Sequence, residues 1–496
     1  RSRRTSGSLG GSVMGSWFRI PVLVLLVIAA GSPAAAQETV DRLTAALDLS
    51  GHWEGEIALP EAALQVMLDF ERIGEGETAG WTGVIDIPSQ SAIGLPLENI
   101  SVEGDRARFS IAGVSGVPTF AGTLRDGELT GDFTQGAARL SFRLGRDAIE
   151  VARRPQDPRP PLPYREEEVT YTNGEVTLAG TLTLPAGPGP FPAAVLVSGS
   201  GPQNRDEEIF NHRPFRVLAD ALARRGIAVL RSDDRGVGGS SGDINASTTS
   251  DFAGDALAAV ALLGSRSEIA AERIGIIGHS EGGLVGPLAA VRSDAVAYVV
   301  LLAGPGVSGG EILPLQNRRL AEAAGGDAAG LDAQVELVER MIGLLRDEDD
   351  EETLRAGLHG LAMQQLELGG EAAREALGDN PEAVIGEQID RFLTPWFRYF
   401  LNYDPRPTLR RLRVPVLALV GTLDLQVDAE QNLPEIERAL TAAGNTDFTA
   451  LRLEGLNHLF QHATTGAVIE YGQIEETMAP EVLELIGDWI TQRFAG

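Results

Sequence analysis

The sequence predicts an α/β domain with a mostly parallel sheet and helices on both faces, preceded by a small all-β domain and interrupted by a helical insertion. Three observations carry this expectation. Residues 49–146 fall into short runs of alternating apolar and polar residues separated by glycines. From residue 193 onward, short apolar runs alternate with amphipathic segments of helical period. Within that alternation, the apolar run 274–277 stops at Gly278-His279-Ser280-Glu281-Gly282, and a helix-like segment at 284–291 begins at once.

Composition narrows the chemistry before any element is placed. A chain of 496 residues exceeds one simple core and predicts two or three domains. The formal charge of −29 repels phosphates and argues against nucleic acid as a partner. There are no cysteines, which excludes disulfides, thiol catalysis and Cys-ligated zinc. All 41 basic residues are arginines, so neither a Ser–Lys dyad nor a Schiff base is available. The six histidines, at 52, 212, 279, 359, 458 and 462, form a short list of candidate bases.

Taken in order, residues 1–36 read as a secretory signal peptide. Arg19 precedes an apolar run at 20–30, then Gly31-Ser32-Pro33 and Ala34-Ala35-Ala36, with cleavage expected before Gln37. Met14 is the candidate start, and a retained N-terminal anchor is the alternative. The run is too short for a normal spanning helix, so stable membrane insertion is not expected, and a secreted or periplasmic location is. Residues 37–150 are expected to form the all-β domain, a small barrel or sandwich punctuated at Glu103-Gly104-Asp105 and at Asp126-Gly127, the latter a hairpin signal. Its His52, beside Trp53, reads as structural. A proline-rich linker follows at 151–163.

The first part of the α/β domain, 164–303, opens with a hairpin turning at Asn173-Gly174. Strands are expected at 193–197, 227–230 and 295–302, and helices at 213–225 and 251–263. At 278–282 the G-x-S-x-G pattern between strand and helix is the nucleophile elbow of an α/β-hydrolase, where the serine sits on a strained turn above the sheet. The helical block 304–413, the expected lid, contains helices at 333–346 and 382–392. The acidic run 347–352 lacks calcium-loop spacing and reads as a solvated helix boundary. Six of the 27 aromatic residues fall within 392–403, and from this cluster Trp396, Phe397 and Tyr399 are expected to wall a substrate pocket; lid core is the plainer reading. The second part of the domain, 414–496, resumes with strands at 414–420 and 448–453 and helices at 433–443 and 480–494.

A nucleophilic serine requires a base, and the base an orienting carboxylate, in the chain order Ser, acid, His. Asp424 follows the strand 414–420 and His458 follows the strand 448–453, placing both on the sheet edge where the elbow opens. Ser280, Asp424 and His458 are therefore the candidate triad, with Asp428 and His462 as alternatives. His279 is expected to turn away from the serine and pack on the sheet. The glycine-rich turn Ser198-Gly199-Ser200-Gly201-Pro202 is placed to aim a backbone N–H at an oxyanion; Ser200 and Glu281 are the expected donors. The loop 233–240 lacks a phosphate-binding pattern and reads as a turn bracing the oxyanion loop, with Asp234 and Arg235 as its ion pair.

Gly-Ser-Gly-Pro-Gln-Asn-Arg-Asp (199–206), Asp-Asp-Arg-Gly-Val-Gly-Gly-Ser (233–240), Gly-His-Ser-Glu-Gly-Gly (278–283) and Trp-Phe-Arg-Tyr-Phe-Leu-Asn-Tyr-Asp-Pro (396–405) together resemble the EstD-type bacterial carboxylesterases. These are α/β-hydrolases with an N-terminal β domain and a helical lid. The resemblance covers residue 164 to the C-terminus by motif and the β domain by character. It implies hydrolysis of small-molecule esters, without cofactor or metal, by Ser280, Asp424 and His458. The chain departs at Ser198, where such proteins commonly carry His, which bears on the oxyanion loop and not on the triad. A serine aminopeptidase and a non-catalytic binding protein remain the alternatives, and a homodimer through the β domain is an arrangement the sequence admits.

Overall fold

A computed structural model describes residues 48–494, apart from short stretches at 59–62, 74–79, 88–91, 113, 115–116, 126, 136–137, 147–153, 324–327 and 378–380. The expected signal peptide lies outside the described residues. The alternating runs of the N-terminal region become β1 (Gly51–Ala58), β2 (Ala63–Ile73), β3 (Gly80–Ile87), β4 (Ala92–Glu103), β5 (Arg106–Ile111), β6 (Thr119–Arg125), β7 (Glu128–Gln135) and β8 (Ala138–Gly145). They pair in sequence order, and β8 returns to β1 to close a barrel, which leaves no open sheet edge. Side-chain alternation sends Phe70, Phe109, Phe120, Phe133 and Phe142 inward, with neighbouring ring centroids 4.8–5.1 Å apart. His52 stays at the surface between Asp69 and Glu54.

The linker is anchored rather than merely stiff. Arg154 donates to the carbonyls of Phe210 (2.9 Å), Gly472 (2.9 Å) and Ile474 (3.1 Å), and Gln156 donates to that of Met478 (2.7 Å).

A hairpin of β9 (Tyr164–Asn173) and β10 (Val176–Pro185) turns at Gly174, whose φ is +60°. There follow β11 (Phe191–Val197), α1 (Pro214–Ala223), β12 (Ala228–Ser232), α2 (Thr249–Gly264), β13 (Ile269–His279), α3 (Gly282–Ala290) and β14 (Tyr298–Leu302). Local chemistry sets the ends: proline starts α1, and Thr248 and Asp251 form a capping box at the start of α2. A helical insertion comes next: α4 (Gly309–Ala323), α5 (Ala328–Asp347), α6 (Glu351–Leu377), α7 (Pro381–Phe392), α8 (Pro395–Asn402) and α9 (Arg406–Leu409). The acidic run falls at the boundary of α5 and α6, where Asp350 accepts the Thr353 N–H at 2.9 Å. Finally β15 (Val416–Gly421), α10 (Ala429–Ala442), β16 (Phe448–Leu453) and α11 (Pro480–Phe494) complete the chain. Helix α10 starts earlier than its apolar pattern predicts because Asp428 caps it, and Pro434 is accommodated inside.

The sheet order is β16-β15-β14-β13-β11-β12-β10-β9, parallel from β11 to β16 with β9 and β10 antiparallel. Both faces are covered, so the central strands read as continuous apolar runs. Ile276 enters the core shared with α2, α3 and α10, whereas Ile277 enters the core shared with α1 and α11. The α/β class and the preceding all-β domain are thus both present. The carboxyl ends of β11, β13, β15 and β16 share one edge, and each is followed by a loop that supplies site residues.

Candidate active site

Between β13 and α3 the chain reverses over Ser280, whose φ of +51° is a left-handed conformation that costs a non-glycine residue about 1–3 kcal/mol. The surroundings hold it there: its N–H donates to the Leu302 carbonyl at 2.8 Å. The flanking glycines are required by contact. A Cβ on Gly278 would run into the Gly282 carbonyl, and one on Gly282 into the Val197 carbonyl.

His458, in the loop after β16, sets its Nδ1 2.8 Å from Asp424 Oδ2, and both side chains are buried. The other oxygen of Asp424 accepts the N–H groups of Gln426 (2.9 Å) and Val427 (2.8 Å), which fixes the carboxylate. A carboxylate at Nδ1 requires a proton on that nitrogen and leaves Nε2 with the lone pair. Ser280 and His458 line a single cavity that encloses about 820 Å³ of space open to solvent, together with Ser200, Glu281, Trp396 and Phe400.

The alternatives lie elsewhere. Asp428 caps α10 by accepting the Gln431 N–H at 3.0 Å and pairs with Arg319 at 3.3 Å. His462 is half-exposed between Glu476 and Glu481.

Ser200 and Glu281, the expected donors, both border the cavity. The loop carrying Ser200 is braced from below by Asp234, which accepts from the Ser198 hydroxyl (2.9 and 3.1 Å) and the Gln203 N–H (2.9 Å). Burial pushes the Asp234 carboxyl well above its ordinary range. The expected Asp234–Arg235 pair does not form. Side chains of adjacent residues diverge here: Arg235 reaches Asp255 on α2 (2.7 and 2.8 Å), while Asp233 takes Arg205 (2.7 Å).

The Glu281 side chain is buried and accepts from Thr249 Oγ1 (2.6 Å) and from Trp396 Nε1 (3.0 and 2.9 Å). Burial raises its carboxyl above the usual value, against the hydrogen bonds of Thr249, Trp396 and Ser200.

Only one of the three expected pocket aromatics borders the cavity. On α8, Trp396 and Phe400 are one turn apart, stack at 5.9 Å and share that face. Phe397 is rotated inward and packs on Phe392 at 5.1 Å within the core of the insertion, and Tyr399 stacks on Tyr403 at 5.3 Å. Phe400 is the wall residue that the aromatic cluster concealed; the four-residue spacing from Trp396 was the signal for it.

His279 also departs from expectation. It is buried but borders the cavity, its ring 4.8 Å from that of His458, with Nδ1 2.8 Å from Glu207 Oε1 and Nε2 3.0 Å from the His458 carbonyl. Glu207 is a site residue that no local pattern marks, since Asp206, Glu207 and Glu208 are three consecutive acids.

This fold and this edge-on arrangement define an α/β-hydrolase. The Alpha/beta hydrolase family matches residues 194–470, more than half of the chain and all of the loops just described, and the protein belongs to that family. It is 29% identical over 338 residues to Esterase EstD of Thermotoga maritima, a match covering 68% of this chain and 67% of that protein. The resemblance to EstD-type esterases read from the motifs is therefore borne out. Among solved structures, the Pyrococcus furiosus esterase Pf2001 is similar with TM-score 0.40 and 16% identity, over 67% of this chain and 92% of that one. The alpha/beta hydrolase GrgF of a Penicillium species is similar with TM-score 0.41 and 19% identity, over 68% and 100%. Among the described residues, no group of acids and histidines is arranged to hold a metal ion, and no helix is long and apolar enough to cross a membrane.

Proposed function

We propose that the protein is a serine carboxylesterase that cleaves small-molecule esters of short to medium acyl chain. The observation that carries this reading is that a strained Ser280 and an Asp424-paired His458 border one cavity. Ser280 Oγ attacks the acyl carbonyl while His458 Nε2 takes its proton. Asp424 holds the imidazole in the tautomer that makes this transfer productive. Charge developing on the carbonyl oxygen is met by the N–H groups of Ser200 and Glu281. His458 then protonates the departing alkoxide, and water repeats the sequence on the acyl-enzyme to release the acid.

The helical insertion 304–413 acts in this reading as a lid, with Trp396 and Phe400 as the apolar wall against which the acyl chain lies. A cavity of ordinary small-molecule size suits acyl chains of roughly C2 to C8. An aminopeptidase would need a free carboxylate to hold the substrate ammonium. Two acids outside the proposed triad border the cavity: the oxygens of Glu281 accept from Thr249 and Trp396, and Glu207 Oε1 is taken by Gly199 and His279. Export through the N-terminal segment, with no cofactor, completes the proposal.

The test is an assay of purified protein against a p-nitrophenyl ester series and aminoacyl p-nitroanilides side by side, with fluorophosphonate labelling of the wild type and Ser280→Ala. Ester turnover and labelling that both vanish in Ser280→Ala are expected. Anilide turnover with esters untouched moves the protein to the peptidases. Labelling that survives in Ser280→Ala refutes the nucleophile, and no labelling of either favours a binding protein.

A further inference from the structure

Three consecutive acids follow the oxyanion loop, and each takes a different partner. Asp206 pairs with the buried Arg231 and Glu208 with Arg213 at 3.1 Å. Among the described residues, Glu207 pairs with no arginine. It is 4% exposed, and its φ of +52° turns it under the site. There a single oxygen, Oε1, accepts the Gly199 N–H at 2.7 Å and meets His279 Nδ1 at 2.8 Å.

His279 is 7% exposed, and both of its ring nitrogens face acceptors: the Glu207 carboxylate at Nδ1 and the His458 carbonyl at Nε2. A neutral imidazole donates from one nitrogen only, so satisfying both acceptors requires the imidazolium. A buried cation is tolerable only beside a counter-charge, and Glu207 is that counter-charge. Burial alone would depress the His279 imidazole, yet the Glu207 charge and hydrogen bond, the His458 carbonyl and the more distant Asp424 hold it above its ordinary value. With neither nitrogen free, His279 cannot serve as a base.

We infer that Glu207 and His279 form a buried ion pair that acts as a positioning strut, joining the oxyanion loop at Gly199 to the backbone of His458. Gly199 lies directly over the nucleophile, close enough that a Cβ there would sit 3.2 Å from Ser280 Cβ. The strut therefore keeps the oxyanion loop and the base in register about Ser280. This inference rests on the roles proposed above for Ser280 and His458.

The experiment uses the full-length protein with Glu207→Ala and Glu207→Gln. It reads the protonation of the His279 ring nitrogens by ¹⁵N NMR (assigned by their loss in His279→Gln), the rate of Ser280 phosphonylation by a fluorophosphonate, and kcat and KM for p-nitrophenyl butyrate. In the wild type at pH 7 both His279 nitrogens should carry protons. Glu207→Ala should slow phosphonylation and kcat by about 10²–10³-fold, the scale of losing one oxyanion donor. Its KM should stay within about threefold, since ground-state binding is untouched. Glu207→Gln, which keeps an acceptor for Gly199 but removes the charge, should recover part of the rate while His279 becomes neutral. Wild-type rates in Glu207→Ala, or one bare His279 nitrogen in the wild type, overturn the strut. If Glu207→Ala loses its cooperative melt, Glu207→Gln and the NMR reading decide alone. Wild-type protein that labels at Ser280 but leaves esters untouched refutes the ester reading only, and the strut is then judged by labelling rate. No labelling of the wild type refutes both.

Discussion

The indole N–H of Trp396 donates to both carboxylate oxygens of Glu281, at 3.0 and 2.9 Å, and so fastens the helical insertion to the residue that follows Ser280. Because Glu281 is buried and bonded to Thr249 on α2 as well, the wall of the cavity and residue 281, the proposed oxyanion donor, are joined by side-chain hydrogen bonds. In the proposed reaction, a change in the wall is therefore expected to reach the reacting carbonyl.

Trp396→Phe keeps an aromatic surface but removes the N–H together with part of the ring volume. It should alter chain-length preference and lower kcat on the best ester by about tenfold, the value of one lost hydrogen bond to a charged group. Phe397→Ala, by contrast, should cost about 3–5 kcal/mol of stability through the cavity it leaves, with the order of preferred esters unchanged. Urea unfolding and the p-nitrophenyl ester series separate the two effects. If Phe397→Ala shifts chain-length preference without destabilising, the assignment of these side chains to wall and core is reversed.

Asp424→Asn should fold normally and reduce kcat by about 10⁴-fold through loss of tautomer control at His458. Asp428→Ala should leave kcat unchanged and cost about 0.5–2 kcal/mol through loss of the α10 cap. Steady-state kinetics on both variants would expose a wrong choice of carboxylate, since the deficits would be exchanged.

His212 predicts an acid-side loss of stability. Its Nε2 meets the Tyr471 carbonyl at 2.8 Å and its Nδ1 meets Thr477 Oγ1 at 2.9 Å, a fit for the neutral ring. Burial first, then the Arg154 guanidinium, push it down to about 4. The folded value lies below the unfolded one near 6.5, so the unfolded chain binds the extra proton between them. This contribution is intact above about pH 6.5 and falls as pH drops toward 4, by up to about 3 kcal/mol. Urea midpoints at pH 7 and pH 4.5 should diverge more in the wild type than in His212→Gln. Equal divergence would mean that other groups carry the acid transition.

Export is checked by mass spectrometry of the periplasmic or culture-fluid protein, expected to begin at Gln37. A full-length cytoplasmic product would contradict the signal-peptide reading.

Much of the molecule was legible in the sequence because it is encoded locally. Alternation of period two predicted the strands of the barrel, and Asn173-Gly174 predicted the hairpin that opens the α/β domain. The elbow was legible because a nucleophile on a strained turn needs small residues at fixed offsets, as Gly278 and Gly282 supply. Chain order placed Asp424 and His458 after their strands, on the edge where Ser280 emerges. What only the tertiary structure decided is which side chains separated loops bring together. Asp424 and Asp428 are four residues apart in sequence, and packing alone puts one against His458 and the other at a helix cap. Helical rotation turns Trp396 and Phe400 to the cavity and Phe397 into the insertion. Asp206, Glu207 and Glu208 are near-identical in chemistry, and their partners, at positions 231, 279 and 213, are fixed by a fold that no local pattern records. Periodicity and turn chemistry act over a few residues, whereas a buried charge is paired by whatever the rest of the chain places within about 3 Å of it.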